Sequence, residues 1–144
     1  MDDFHFFAMD VDSMLLFLYS FHLRIMQKIK ITWSQLLPLT KDAIYKLLNV
    51  SGVYRLSKKQ DDGKYYVFFV GSTENIKEKL LFHINTETDR IKAYIAQGSC
   101  SFRNAPVSDN ETREAIERQL YKHYLPELNS EEPKSALDIE ANLN

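Results

Sequence analysis

The stretch GVYRLSKKQDDGKYYVFFVGS, residues 52–72, decides the predicted fold. Its two halves, residues 53–58 and 64–70, are rich in β-branched and aromatic side chains, which are typical of strands. Asp62-Gly63 between them is a strong signal for a tight hairpin turn. We therefore expect two antiparallel strands. The second is apolar on both faces, which predicts the central strand of a small covered sheet.

Helical patterns surround this hairpin along the chain. The predicted helices cover residues 36–49, with a break at Pro38, and residues 72–84, 88–97 and 108–125, and a third strand covers residues 99–105. In this interpretation Gly71 ends the second strand, and Ser72 or Thr73 caps the next helix. The predicted fold class is α/β, of the α+β kind. A small three-stranded sheet that contains an antiparallel pair is flanked by helices.

Charge is distributed unevenly along the 144 residues, which are enough for one domain. Residues 26–129 carry 16 basic and 12 acidic side chains, whereas residues 1–25 and 130–144 each have a net charge of −3. We expect one domain at 26–129, an N-terminal extension outside the core at 1–25, and a disordered acidic tail at 130–144. The mildly basic domain permits phosphate contacts but does not require them.

The N-terminal extension contains an apolar run, residues 14–21, that is too short to span a bilayer. Acidic residues precede it, where a signal peptide needs positive charge. The run is either a short helix that packs elsewhere or part of an extension before a true start at Met26. The single cysteine, Cys100, cannot form an internal disulfide. We therefore expect a cytoplasmic protein with no membrane partner.

The order and spacing of several short motifs add a more specific indication. Gly52-Val53-Tyr54 and Phe69-Val70-Gly71, joined by the hairpin, resemble the paired GIY and YIG strands of the GIY-YIG nuclease superfamily. The helix that follows carries Lys79 and His83, where that family usually has an arginine and a histidine or tyrosine. Because these two residues are four apart, they share one helix face whatever the family.

The C-terminal part of the resemblance lies between residues 116 and 129. The helix around Glu117 is similar to the family's metal-binding helix, and Pro126 with Asn129 is similar to its closing Pro-x-x-Asn. The resemblance covers about two thirds of the chain. The chain departs from the family pattern at two positions. Phe69 replaces the tyrosine that begins YIG and so lacks its hydroxyl. Lys79 replaces the family arginine, and an ammonium cannot clamp two phosphate oxygens as a guanidinium does.

The resemblance implies a role for each of five residues. Glu117 would hold one divalent cation, Mg²⁺ or Mn²⁺, since a single carboxylate with a water-rich shell suits Mg²⁺. Tyr54 would help to deprotonate the attacking water, and Lys79 would supply positive charge to the phosphate. His83 would belong to the catalytic set, and Asn129 would support the site. We expect the first four to converge on one accessible concave surface.

Each of these residues also has an ordinary structural interpretation. Tyr54 in an apolar strand fits a core tyrosine, and Glu117 on a helix fits a solvated carboxylate. His83 fits a boundary histidine, Lys79 a solvated lysine and Asn129 a turn residue. Only the joint pattern favours a site.

The function implied by the resemblance is a metal-dependent endonuclease of reduced activity that hydrolyses phosphodiester bonds of DNA, as in DNA repair. The alternative is a catalytically degenerate module that binds nucleic acid or a protein partner. A third possibility is a structural domain with no nucleic-acid role. Readout of a long DNA site needs roughly 1,000 Å² or more of protein surface. A domain of this size lacks such a surface, so we expect a protein partner to supply specificity.

Overall fold

The computed structural model describes residues 10–25, 27–86 and 89–144. Its helices are α1 Val11–Ile25, α2 Lys41–Tyr45, α3 Ile76–Asn85, α4 Asp89–Ala96 and α5 Asn110–Tyr124. Its strands are β1 Gln27–Ile29, β2 Leu37–Pro38, β3 Gly52–Lys59, β4 Tyr65–Thr73, β5 Cys100–Pro106 and β6 Ile139–Ala141. This is the predicted mixture of helices and a small sheet, and the fold class is confirmed.

The main sheet has four strands in the order β2-β5-β3-β4, and β3 is antiparallel to both of its neighbours. The predicted β3–β4 hairpin is confirmed, with Gly63 at a φ of 80° in its turn. The prediction that the second strand is central is wrong, because β4 is an edge strand and β3 is central. The two-residue strand β2 adds a fourth member to the predicted three.

Strand β4 is apolar on both faces because each face packs on a core, and its outer edge is also covered. The chain that follows α5 lies along this edge, where the Leu128 amide donates to the Phe68 carbonyl at 3.1 Å. Asn129 makes two further hydrogen bonds to Val70. An edge covered in this way does not need the polar residues that protect exposed edges.

Side chains on successive residues of β3 point to opposite faces, and each face has its own core. Val53 packs with Val70 and with Ile116 of α5 on one face. Tyr54 packs with Ile44 of α2 and with α3 on the other face. The helix that carries Glu117 and the helix that carries His83 therefore lie on opposite sides of the sheet.

The boundaries of two predicted helices need correction. Leu37 and Pro38 pair with β5 instead of starting a helix, and only Lys41–Tyr45 is helical after the break. Strand β4 continues through Gly71 to Thr73, and the cap of α3 is Asn75, whose side chain accepts from the Glu78 amide at 3.1 Å. Gly71 lies within the strand and faces the Tyr54 ring. The position requires glycine, because a Cβ atom there would lie 2.4 Å from the phenol oxygen.

Residues 130–144 are ordered against the domain, so the prediction of a disordered acidic tail is wrong. Strand β6 pairs in parallel with β1, and Ile139 is buried. The Asn142 side chain accepts from the Ile31 amide at 2.8 Å and donates to the Ile31 carbonyl at 2.9 Å. The Gln119 side chain accepts from the Ala141 amide at 3.0 Å.

The acidic composition of this segment concealed a strand pattern. Leu137, Ile139, Ala141 and Leu143 alternate with polar residues and all pack on the core beneath α5. Period-two alternation is the signal of a half-buried strand. Asp138 and Glu140, which lie between them, are exposed to solvent.

The apolar side chains at residues 11–18 of α1 are exposed to solvent, with Val11, Leu16 and Phe17 exposed by 71%, 68% and 62%. No helix among the described residues is long and apolar enough to cross a membrane. Residues 1–9 and Met26 lie outside the described residues. That residues 1–25 are dispensable for the fold, and that the domain is bounded at 26, stay predictions.

A variant that begins at Met26 should unfold at nearly the same temperature as the full chain, within about 3 °C. The exposed side chains of α1 contribute little burial that the variant would lose. Differential scanning calorimetry of the two proteins tests this. A larger drop would mean that the first 25 residues pack on the domain.

Replacing Ile139 by alanine should lower the free energy of unfolding by about 2–4 kcal/mol, the usual cost of truncating a buried isoleucine. Glu140→Ala is the matched control, because Glu140 is the exposed neighbour on the same strand. Urea denaturation of both variants supplies the measurement. Equal midpoints would show that β6 does not contribute to the core.

Candidate active site

Two of the predicted residues form a buried hydrogen-bonded pair. Tyr54 of β3 and His83 of α3 lie with the phenol oxygen 2.7 Å from the imidazole Nε2. Their side chains are almost fully buried, with 1% exposure for Tyr54 and 0% for His83. Gly71 makes room for the phenol, because it places no side chain over the Tyr54 ring.

Phe69 packs against both rings of this pair. Its ring centroid is 6.2 Å from that of Tyr54 and 5.0 Å from that of His83. The same ring lines a cleft at the edge of the sheet, together with Glu117. Phe69 therefore forms a wall that has the Tyr54–His83 pair on one side and the cleft on the other.

Glu117 reaches this edge from α5, on the opposite face of the sheet. The Ser72 hydroxyl of β4 donates to its carboxylate Oε2 at 2.6 Å. Burial raises the pKa of the Glu117 carboxyl above its ordinary value, and the Ser72 hydrogen bond opposes that rise. The charge of Glu114 raises the pKa further, whereas the charge of Lys79 lowers it. The dominant effect is desolvation, so the ionised carboxylate lacks full compensation from the protein.

The cleft beside Glu117 has a volume of about 780 Å³ and a mixed polar and apolar lining. Its charged lining residues are Arg90, Glu114, Glu117, Glu131, Glu132 and Lys134. Phe69, Ser72 and Asn129 contribute from β4 and from the segment that covers its edge. Residues from both helix layers and from the C-terminal segment thus meet at one concave surface.

Lys79 lies in an adjoining cleft of about 570 Å³, together with Thr73, Glu78 and Phe82. Its ammonium is 4.9 Å from the centroid of the Phe82 ring. Although Lys79 does not line the Glu117 cleft, its charge acts on the Glu117 carboxylate and lowers the pKa of that group. The Glu117 carboxylate and the Lys79 ammonium therefore lie in separate clefts but interact through their charges.

Asn129 lines the Glu117 cleft, but its amide is engaged with the backbone. Its Oδ1 accepts from the Val70 amide at 3.0 Å, and its Nδ2 donates to the Val70 carbonyl at 2.9 Å. Val70 lies between Phe69 and Ser72 in the chain. Asn129 therefore fixes the strand segment that carries the wall of the cleft and the hydroxyl bound to Glu117.

The predicted convergence of four residues on one accessible surface is not found, because Tyr54 and Glu117 lie on opposite faces of the sheet. Glu117 and Lys79 lie on neighbouring accessible surfaces, whereas Tyr54 and His83 are together but buried. The prediction of one shared accessible surface is therefore wrong, because the Tyr54–His83 pair is enclosed in the core between the sheet and α3.

The sequence prediction missed most residues of the cleft, and two of them carry a signal that could have been used. Ser72 could have been found from strand alternation, since Gly71 faces Tyr54 and the next residue must face α5. Glu114 could have been found from helix periodicity, because it lies three residues before Glu117 on the same face.

The donor set around Glu117 fits a hard divalent cation better than zinc. No group of three or more His, Cys, Asp or Glu side chains suited to a metal occurs among the described residues. One carboxylate with hydroxyl and carboxylate oxygens nearby matches the way Mg²⁺ is usually held, with most of its water retained. The raised pKa of Glu117 also marks a place where a cation would offset buried negative charge.

Comparison with known proteins gives a likeness in structure but not in sequence. No protein-family profile and no curated protein matches the chain. Crystal structures of the GIY-YIG N-terminal endonuclease domain of UvrC from Thermotoga maritima do match. The magnesium-bound form has a TM-score of 0.52 and 18% identity, and the match covers 62% of this chain and 93% of that domain.

The fold is that of a GIY-YIG domain.

Two variants of the UvrC domain, each described as bound to the catalytic divalent cation, give similar values. The asparagine-to-alanine variant has a TM-score of 0.53 and 16% identity, with coverage of 63% of this chain and 94% of that domain. A tyrosine-to-phenylalanine variant has a TM-score of 0.51 and 19% identity, with coverage of 62% and 93%. At these identities the likeness establishes the GIY-YIG-like fold only. Any chemistry must be argued from the side chains of this chain.

Replacing Asn129 by alanine should destabilise the protein by about 1–3 kcal/mol, because two part-buried backbone groups of Val70 lose their partners. Ser130→Ala is the control, since Ser130 is the exposed next residue. Chemical denaturation measures the loss, and hydrogen exchange at the Val70 amide should accelerate. Unchanged exchange in Asn129→Ala would rule out this clamp.

Proposed function

We propose that this protein is a divalent-metal-dependent endonuclease of the GIY-YIG type that hydrolyses phosphodiester bonds of DNA. The observation that carries the proposal is the Glu117 carboxylate, half-buried at a polar cleft beside the two GIY-YIG-like strands. The UvrC domain with the similar fold is an endonuclease domain bound to magnesium as its catalytic cation. Mg²⁺ or Mn²⁺ is therefore the proposed cofactor.

Glu117 would hold the cation, and Ser72 would orient the carboxylate through its hydrogen bond. When bound, the cation would supply charge stabilisation to the phosphate and its leaving oxygen. Lys79 lies on the neighbouring surface and would add positive charge to the same phosphate. As an ammonium it is a weaker clamp than guanidinium, which supports reduced activity.

Tyr54 and His83 would provide the route for a proton. The phenol oxygen would accept a proton from the attacking water while its own proton passes to His83 Nε2, 2.7 Å away. Because a free phenol has a pKa near 10 and imidazole one near 6.5, the histidine makes the tyrosine a more useful base. This route requires the Phe69 ring to swing aside, so that water reaches the phenol.

A second candidate function is DNA binding without cleavage. The observation that favours it is the burial of the Tyr54–His83 pair beneath Phe69. If the ring stays closed, Lys79, Arg90 and Lys134 still present positive charge to phosphate, but no base reaches a water. Cleavage assays separate this candidate from the nuclease.

The wild-type protein should nick supercoiled plasmid and branched DNA when Mg²⁺ or Mn²⁺ is present, and not in EDTA. Glu117→Gln should abolish cleavage, because an amide is a poor ligand for the cation. Glu127→Gln, a matched change at an exposed site, should leave it intact. Lys79→Arg should raise the rate about tenfold, equivalent to about 1.4 kcal/mol of transition-state stabilisation.

Gel electrophoresis of timed reactions measures these rates. Undiminished metal-dependent cleavage by Glu117→Gln would sink the proposed mechanism. No cleavage by the wild type or by Lys79→Arg, together with salt-sensitive DNA binding, would favour the binding module.

Stability measurements test the same carboxylate without DNA. The pKa of Glu117 is raised in the folded state, so ionising this carboxyl destabilises the fold. As far as this group is concerned, the protein is therefore more stable at low pH, where Glu117 is protonated, and loses stability as pH rises through that pKa. Metal-free Glu117→Gln should therefore be more stable than the wild type at pH 8, with the difference shrinking on acidification. Added Mg²⁺ should stabilise the wild type alone, and less so as Glu117 protonates. Thermal denaturation across a pH series measures both effects, and equal Mg²⁺ responses would contradict them.

A further inference from the structure

A carboxylate of the C-terminal segment is held by two basic residues of α5. Glu132 Oε1 lies 3.3 Å from Arg118 Nε and 3.7 Å from Lys122 Nζ. Arg118 also donates from Nη1 to the Ser135 carbonyl at 3.1 Å. Because Arg118 and Lys122 are four residues apart, both side chains lie on one face of the helix and close on the same oxygen.

This ion-pair cluster stands at the rim of the candidate active site. Glu132 lines the Glu117 cleft, and the segment 130–134 forms one of its walls. Arg118 follows Glu117 directly in α5. Glu132 therefore connects the cleft to Arg118 and Lys122, and the negative charge beside these two cations belongs to the protein.

We propose that Arg118 and Lys122 form a binding site for a DNA backbone phosphate, and that Glu132 occupies this site in the free protein as an internal competitor. The inference rests on the proposed function, because it takes DNA as the ligand. An arginine and a lysine around one oxygen suit phosphate as well as carboxylate. A phosphate diester from the substrate would replace the Glu132 carboxylate at the same position.

The construction of the segment allows such an exchange. The side chains of Arg118, Lys122 and Glu132 are 38%, 58% and 45% exposed, and ion pairs this exposed are weak and screened by salt. The segment is anchored at both ends, by the Asn129 clamp on β4 and by Ile139 in β6. Glu132 can therefore leave the basic pair while the fold around it stays in place.

The test is binding of a fluorescently labelled DNA duplex in EDTA, followed by anisotropy at several salt concentrations. Glu132→Gln should tighten binding about three- to fivefold, the equivalent of one exposed ion pair. Glu140→Gln is the matched control, since it removes the same charge from an exposed position on β6 outside the cleft, and should change affinity much less. The Arg118→Gln/Lys122→Gln double variant should weaken binding. It should also reduce the slope of log affinity against log salt concentration by up to about two, because each phosphate contact that is lost lowers this slope by about 0.9.

In the Arg118→Gln/Lys122→Gln background the Glu132→Gln change should have no effect, because the competitor has lost its site. Equal effects of Glu132→Gln and Glu140→Gln would overturn the proposal, as would a double variant that binds like the wild type or a wild type that binds no DNA. Since the assay contains no metal, its result is independent of cleavage. A protein that shows the Glu132 effect but never cuts DNA would sink the nuclease and keep this site.

Discussion

Tyr54 lies opposite Gly71 across the β3–β4 pair, and the close approach of the phenol to that glycine fixes the register on which the candidate site depends. With this register, Tyr54 points toward α3 and meets His83. Ser72, the next residue of β4, points to the other face and meets Glu117. A slip of β4 by one residue would turn Ser72 to the other face of the sheet and separate it from Glu117, while Tyr54 stayed with His83.

The candidate site therefore draws on both layers of the domain and is assembled at a sheet edge. One face supplies a buried phenol–imidazole pair, and the other supplies a half-buried carboxylate whose pKa is raised by desolvation. Phe69 stands between them and touches the rings on its inner side. In the proposed mechanism this one ring would decide whether water can reach the phenol.

The hairpin and the fold class could be predicted from the sequence because Asp-Gly turn chemistry and strand composition are local signals. The motif series also named Tyr54 with His83, and Glu117, although these residues come from separate elements. The predictions for β4 and for residues 130–144 failed because they used local composition and ignored contacts with segments distant in sequence. Strand β4 has the composition of a central strand because each of its faces packs on a core and Leu128 and Asn129 cover its edge. The edge contact joins segments about 60 residues apart. The acidic segment after Ser130 hid an alternating apolar row, since net charge gives no information about which face each side chain takes.

The parallel pairing of β1 with β6 has a consequence for how the molecule is made. The Ile31–Asn142 hydrogen bonds join residues 111 positions apart, so this part of the domain cannot close until residues 139–142 have been synthesised. Until then, the apolar patch under α5 that receives Ile139 lacks its cover. A nascent chain that pauses before this point carries an incomplete core and an unpaired strand, both of which favour association with other chains.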